Sequence, residues 1–375
     1  MKTGTLAGIL NRTTACLPIA LIFGAFWVNG NQAHHTLFLT DDNVMMGMGS
    51  NEHGQLGLPA SQNAVIPVQS KFGVRKVSSG YRHTIFLMWD GTVWAVGNNL
   101  NGQLGDGTNS DRSIPVPVID STGNQLSEIV GIAAGDFHSV YLKSNGTVWA
   151  AGRNQYGQLG DGTTIQKNYS VIVNQSVGNP LNGVIKVYAG TSNSMYLKSD
   201  RTVLAVGRNE AGQLGDGSTS NRSAPVLVVE NNGNVLNNVM SVTAGDSHTV
   251  FLKLDGTVWA VGRNQFGQLS DGTTDQRLNP VQVKDATGES LDNIVEISAG
   301  YDFTSYLKSD GTVWAVGKNN YGQLGDGSTT NRNNLVQVLQ TGGGPLVDIV
   351  KISSGFAHSI YLKRDKTLWA VGRNG

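Results

Sequence analysis

An all-β propeller is the fold the sequence predicts, on three observations. A unit of 55 residues recurs along the chain. Each unit holds four short β-rich runs separated by turn residues. No stretch after the N-terminal segment has helical periodicity. Stepping by 55 from GTVWAVG at Gly91 lands on Gly146, Gly256 and Gly311, with Arg201 and Lys366 in the same slot. An AGxxH-type segment lands on His83, His138, Asn193, His248, Phe303 and His358. His35 leads a first copy, 48 residues before His83. Seven copies result, six in strict register, so a seven-bladed propeller of four-stranded repeats is expected. One-strand-per-coil solenoids have shorter periods, of about 20–29 residues.

The unit from Ser113 shows each element. IPVPVI is the first run and DSTGNQ a turn cluster. IVGIAAG is the second run, HSVYLK the third, and TVWAAG the fourth. Val, Ile, Tyr and Trp fill these runs, and Gly, Asn and Asp punctuate them, as strands require. Asp90-Gly91, Asn145-Gly146, Asp255-Gly256 and Asp310-Gly311 mark tight hairpins between the third and fourth runs. RNQYGQLGDGTT is a long Gly-rich connection to the next unit.

Residues 1–33 read differently. Lys2 and Arg12 precede sixteen uncharged, mostly apolar residues from Thr13 to Val28, and NGNQA follows. This is the pattern of a secretory leader, with small residues at Gly30 or Ala33 for cleavage. It is short for a membrane span, which needs about 20 residues. The expected organisation is therefore a signal peptide or anchor over 1–33 and a propeller over 34–375. The location would be secreted or cell envelope, with no membrane insertion after cleavage. Cleavage would remove Cys16, the one cysteine, leaving a core that must stand without disulfides.

Composition points to no special partner. The 375 residues hold 27 Lys+Arg and 27 Asp+Glu, so no nucleic-acid surface is expected. The 49 glycines suit many tight turns.

VSSGYRHTIFL, IAAGDFHSVYL and VTAGDSHTVFL, each followed by a GxNxxGQLG-type segment, and ISSGFAHSIYL, followed by GRNG, resemble the regulator-of-chromosome-condensation repeat. The resemblance spans 34–375 and implies a seven-bladed propeller whose last blade is shared between the termini. Copy one supplies only two strands, from His35 to Gly49, and the chain stops before a last GQLG. The closing blade is therefore expected to be incomplete at the C-terminus. The resemblance implies nothing firm about function, because propellers host unrelated activities. Its founding member exchanges guanine nucleotide on a small GTPase. This chain lacks the basic tail and insertions used there, so that reading is disfavoured. A secreted bacterial β-lactamase-inhibiting propeller is similar in fold and implies one face covering a protein.

Slots shared by the copies read as scaffold. The histidines His35, His83, His138, His248 and His358 lie on different blades, too far apart to share a zinc ion. Asp106, Asp161, Asp216, Asp271 and Asp326 each stand six residues before Arg112, Lys167, Arg222, Arg277 and Arg332. Copy one has Leu58 and Ala64 in those places, so acid and cation vanish together, as a loop-bracing ion pair predicts. Trp94, Trp149, Trp259, Trp314 and Trp369 share a slot with Leu204 and Met46, which reads as core bulk. The Asn from Asn51 to Asn374 recurs in every copy and reads as a turn residue. No GxSxG, HExxH or Walker signature is present. No cofactor, metal or catalytic residue is expected, and a non-enzymatic monomer binding an unknown protein or surface glycan is the leading reading. An enzyme, such as a hydrolase or lyase with a site at the central channel, is the alternative.

Function is sought where the copies differ. The slot before GQLG carries His53, Asn101, Tyr156, Ala211, Phe266 and Tyr321. Loops on rigid scaffolds carry function, and Tyr is frequent in interfaces. Tyr156, Phe266, Tyr321 and His53 are the candidate partner-binding residues. Trp89, in a hairpin turn where other copies hold Ser, Leu or Arg, is a fifth.

Overall fold

The computed structural model describes residues 17–19, 25–29, 35–40, 45–57, 64–70 and 73–373. Six blades are each four consecutive antiparallel strands, over 25–70, 74–117, 129–172, 184–227, 239–282 and 294–337. A small hairpin, Asn174–Ser176 with Asn179–Pro180, replaces the usual turn between the third and fourth blades. There is no helix among the described residues.

The last repeat departs from expectation. Ile349–Ser354, His358–Lys363 and Leu368–Gly372 form a sheet whose fourth member is Leu17–Ile19, paired antiparallel to Leu368–Ala370. Ala25–Asn29 is the inner strand of the first blade, beside His35–Thr40. The closing sheet is therefore not left incomplete, and the edge expected after Leu368–Gly372 is paired. Both strands come from the segment read as a leader. An uncharged apolar run of this length suits a leader and buried strands equally, so periodicity could not separate them. The proposed cleavage points, Cys16, Leu58 and Asn374 lie outside the described residues.

The first strand of each blade lines the central channel. Ala25–Asn29 touches both Val74–Ser79 and Ile349–Ser354, which closes the ring. The core lies between neighbouring sheets. Val140, Leu142, Val148 and Ala150 of one blade pack on Val184, Val187, Tyr196 and Leu204 of the next. The Leu of each GQL segment (Leu56, Leu104, Leu159, Leu214, Leu269, Leu324) is buried in this seam.

The repeated polar residues tie blade to blade. His83 Nε2 lies 3.0 Å from Ser139 Oγ on the next blade, and that hydroxyl donates to Gln103 O at 2.8 Å. The serine proton is thus committed, so His83 donates through Nε2. His138 with Ser194, His248 with Thr304 and His35 with Thr84 repeat the bond. Thr36 and His358, 3.5 Å apart, carry it across the closure. Burial holds His83 down to about 3 and His138 and His248 to about 4, so all three are neutral links. Gly135 must lack a side chain, because a Cβ there would collide with the His138 ring.

The ion pairs form as read. Arg112, Arg222, Arg277 and Arg332 donate to Asp106, Asp216, Asp271 and Asp326 at 2.6–2.8 Å. Lys167 stands 4.0 Å from Asp161. The carboxylates are buried and also accept from the shared Asn, as Asn99 Nδ2 to Asp106 Oδ1 at 2.9 Å. The same Asn99 accepts from Leu104 N. The tryptophans are half-buried, with Lys143, Lys253, Lys308 and Lys363 set over Trp149, Trp259, Trp314 and Trp369.

Candidate interaction face

One end of the blades gathers the residues that vary between copies. Each inner strand turns into its neighbour through a Gly and two further residues before the His slot. These pairs are Tyr81-Arg82, Asp136-Phe137, Thr191-Ser192, Asp246-Ser247, Tyr301-Asp302 and Phe356-Ala357. They surround the channel mouth. Their backbones join across blades, with Asp136 N donating to Thr191 O and Asp246 N to Tyr301 O. Each loop also accepts from the residue that leaves the third strand: Arg153 N bonds Phe137 O, Arg208 N bonds Ser192 O, and Lys318 N bonds Asp302 O.

That departing residue reaches outward to the aromatic slot of the preceding connection. Arg208 lies over Tyr156 at 5.7 Å, Lys318 over Phe266 at 5.2 Å, and Arg373 over Tyr321 at 5.3 Å. The backbone of the slot is pinned by its own GQL glutamine, Tyr156 N to Gln158 Oε1 at 3.0 Å. Tyr156 and Phe266 are half-buried and Tyr321 is 45 % exposed. His53 has the same position. Its Nδ1 is 2.7 Å from Asp111 Oδ2, and Arg82 reaches its Nε2 at 3.1 Å. Tyr156, Phe266, Tyr321 and His53 therefore share one face, each already engaged by the cation of a neighbouring blade. Trp89 does not join them. It follows the end of His83–Met88 that points away from the mouth, is 62 % exposed, and has Arg75 at 5.9 Å.

The mouth itself is acidic and aromatic. Burial, reinforced by the charge of Asp246, pushes the Asp136 carboxyl well above the usual range, with Arg153 acting weakly against it. Burial also raises Asp302, although Lys318 donates to its Oδ2 at 3.2 Å. Tyr301 is pushed up to about 12 by burial and by Asp246, Asp302 and Asp136 together. The Tyr301 and Phe356 rings meet at 4.6 Å with their planes tilted by 46°, and Tyr81 lies 5.7 Å from Phe137. This ring is the part of the face that the sequence reading passed over. Its signal was present, since the two residues before the His slot vary as much as the slot before GQLG. Among the described residues, no three His, Cys, Asp or Glu are placed to hold a metal ion.

Comparison with known proteins places the repeat. The RCC1-like domain profile matches residues 121–375, and the regulator of chromosome condensation (RCC1) repeat matches 46–87 and 90–142. The chain belongs to the RCC1 repeat family. Among RCC1-type relatives, the human probable E3 ubiquitin-protein ligase HERC4 is 35 % identical over 303 residues, covering 80 % of this chain and 28 % of HERC4. The ultraviolet-B receptor UVR8 of Arabidopsis thaliana is 29 % identical over 246 residues, 65 % of this chain and 53 % of UVR8. The chain thus spans about a quarter of the length of HERC4. Human WBSCR16 superposes with a TM-score of 0.75 at 20 % identity, covering 94 % of this chain and 87 % of that one. Yeast RCC1 (Prp20), solved bound to Kap60, gives 0.75 at 18 % identity, with 93 % and 81 % covered. These two likenesses concern the fold.

Proposed function

We propose that this RCC1-type chain is a non-enzymatic scaffold that binds a protein partner through the face around the channel mouth. The observation that carries the reading is where the copies diverge. Seams and loop-bracing pairs repeat almost unchanged and the hairpins at the other end vary chiefly in the Trp89 slot, while the paired mouth residues and the slot before GQLG differ from blade to blade. A uniform frame with one variable end suits recognition. Relatives of the fold are compatible: yeast RCC1 was solved bound to Kap60, and a second Prp20p structure was studied for binding Gsp1p and histones. We further propose that the composite sheet acts as a seventh blade. The contacts of Ala25–Asn29 with the inner strands on both sides support this.

Export remains part of the proposal, motivated by the basic and then apolar pattern of residues 1–33. Cleavage at Ala33 would remove Leu17–Ile19 and Ala25–Asn29 together. N-terminal sequencing of protein recovered from the culture medium tests both points; recovery only inside the cell would refute export.

The face is tested with a photo-reactive amino acid at Ala211, the small occupant of the variable slot. In the source cells it should crosslink to a partner, while the same group at Asp310, on the opposite end of the blades, should not. Replacing Tyr156, Phe266 and Tyr321 together by Ala removes three cation–aromatic contacts of about 0.5–1 kcal/mol each. The protein should stay folded and the crosslink should weaken. Equal crosslinking from both ends would refute this choice of face.

A further inference from the structure

We propose that the channel mouth is a socket for a protonated lysine side chain of the partner, with Asp136 as its counter-ion. This rests on reading the mouth face as the docking surface, and it names the group recognised there.

Asp136 is the first reason. It is 8 % exposed, and its Oδ1 has no hydrogen-bond partner. A buried carboxyl with an unsatisfied oxygen costs stability. Its neighbours are served. Asp246 accepts from Ser247 Oγ at 2.8 Å and has Arg208 at 3.8 Å. Asp302 holds Lys318 on Oδ2, yet its Oδ1 too is without a partner. Arg153, the cation closest in sequence pattern to Asp136, is drawn over the Phe137 ring at 5.6 Å. Neither acid belongs to the scaffold. The slot of Asp136 holds Tyr81, Thr191, Asp246, Tyr301 and Phe356 in other copies, and that of Asp302 holds Arg82, Phe137, Ser192, Ser247 and Ala357. Two orphan acceptors at positions where the repeat demands no acid call for a donor from outside.

The surroundings select the donor. The charged and titratable groups around Asp136 are Asp246, Arg153, Tyr301 and the neutral His83 ring, which meets the Asp136 backbone. Burial and the charge of Asp246 push the Asp136 carboxyl up against the pull of Arg153, and an entering cation would draw it back down. The aromatic rings of Tyr81, Phe137, Tyr301 and Phe356 border the mouth, and such rings attract organic cations and cover aliphatic stems. A guanidinium seeks two oxygens of one carboxylate in a plane. Asp136 offers one orphan oxygen and not a planar pair, which a compact ammonium with three donors matches better.

The test is calorimetric titration of the whole chain at about pH 7 with acetyl-Gly-Gly-Lys-Gly-Gly-amide. Saturable binding is expected, with proton release as the entering cation lowers the Asp136 pKa, read from buffers of different ionisation enthalpy. The same peptide carrying acetyl-lysine should not bind, and n-butylammonium should bind more weakly than the peptide. Asp136→Asn should weaken binding about tenfold or more and abolish proton release, while melting at the same temperature or higher. Asp302→Asn, a second variant should the first fail to fold, should also weaken it. No binding of the lysine peptide at millimolar concentration, equal binding of the acetylated peptide, equal affinity for n-butylammonium, or unchanged affinity in the variants would each overturn the proposal. Crosslinking from Ala211 that persists alongside such a result would leave the docking face standing and remove only the lysine socket.

Discussion

Asp216→Ala should destabilise the protein far more than Arg222→Ala, although the two side chains form one ion pair. The carboxylate is 6 % exposed and the guanidinium 38 %. Asp216 Oδ1 accepts from Asn209 Nδ2 at 2.9 Å, Ser218 Oγ at 2.8 Å and Ser218 N at 3.1 Å, and Oδ2 accepts from Arg222 Nε at 2.7 Å. Removing the acid strands several loop donors, and hydrogen bonds to a charged group are worth about 1.5–3 kcal/mol each before rearrangement. Arg222 can turn to water and Asn209 keeps Ser218 O, so the net loss should be about 3 kcal/mol. Removing Arg222 leaves the acid three donors and forfeits a half-exposed contact of about 1 kcal/mol. Urea unfolding followed by tryptophan emission measures both, provided the slope is unchanged. The pH dependence adds a second check. Burial alone would raise the Asp216 pKa, but the bonds from Ser218, Arg222 and Asn209 hold it below its ordinary value. Its stabilisation is therefore present above the unfolded value, near about 4, and is lost as pH falls through the lower folded value. The Asp216→Ala curve should be flatter than wild type in that acid range. Equal losses for the two variants, or parallel acid curves, would refute the view that the carboxylate organises the loop.

Lys167→Arg should stabilise by about 0.5 kcal/mol, measured by urea midpoint, because arginine closes the 4.0 Å gap to Asp161 that the other four loops do not have. Arg201→Gly should raise stability by up to about 1 kcal/mol in the same assay, since Arg201 holds a φ of 67° where Gly91, Gly146, Gly256 and Gly311 stand in other copies. The seam histidines should make stability fall as pH drops below about 6.5. Their folded pKa values are depressed, to about 3 for His83 and about 4 for His138 and His248, so the unfolded chain takes up protons first. Ring-proton NMR should show those three residues failing to titrate between pH about 5 and 8; a midpoint near 6.5 would contradict their burial.

The sequence by itself determined everything that repeats. Copies at steps of 55 must occupy equivalent places, so a tolerated exchange in one copy reports on all. His slots that accept Asn193 and Phe303 had to be packing positions, and they proved to be seam links from blade to blade. Acids followed at a fixed interval by cations had to share a loop, and they do. What repetition could not reveal is whatever depends on contact between different copies. The cations over Tyr156, Phe266 and Tyr321 stand 52 residues further along the chain, on the next blade, and only the closed ring sets them there. Trp89 and the aromatic slot looked alike as departures from pattern, yet strand direction sends them to opposite ends. The apolar run of residues 13–28 carries one hydropathy for two fates, and pairing with Leu368–Gly372 and His35–Thr40 is what marks its strands. Asp136 and Asp302 are ordinary loop acids in the sequence. The closed ring sets both within the field of Asp246 and buries one unmatched oxygen on each, a property of three-dimensional placement that no single repeat contains.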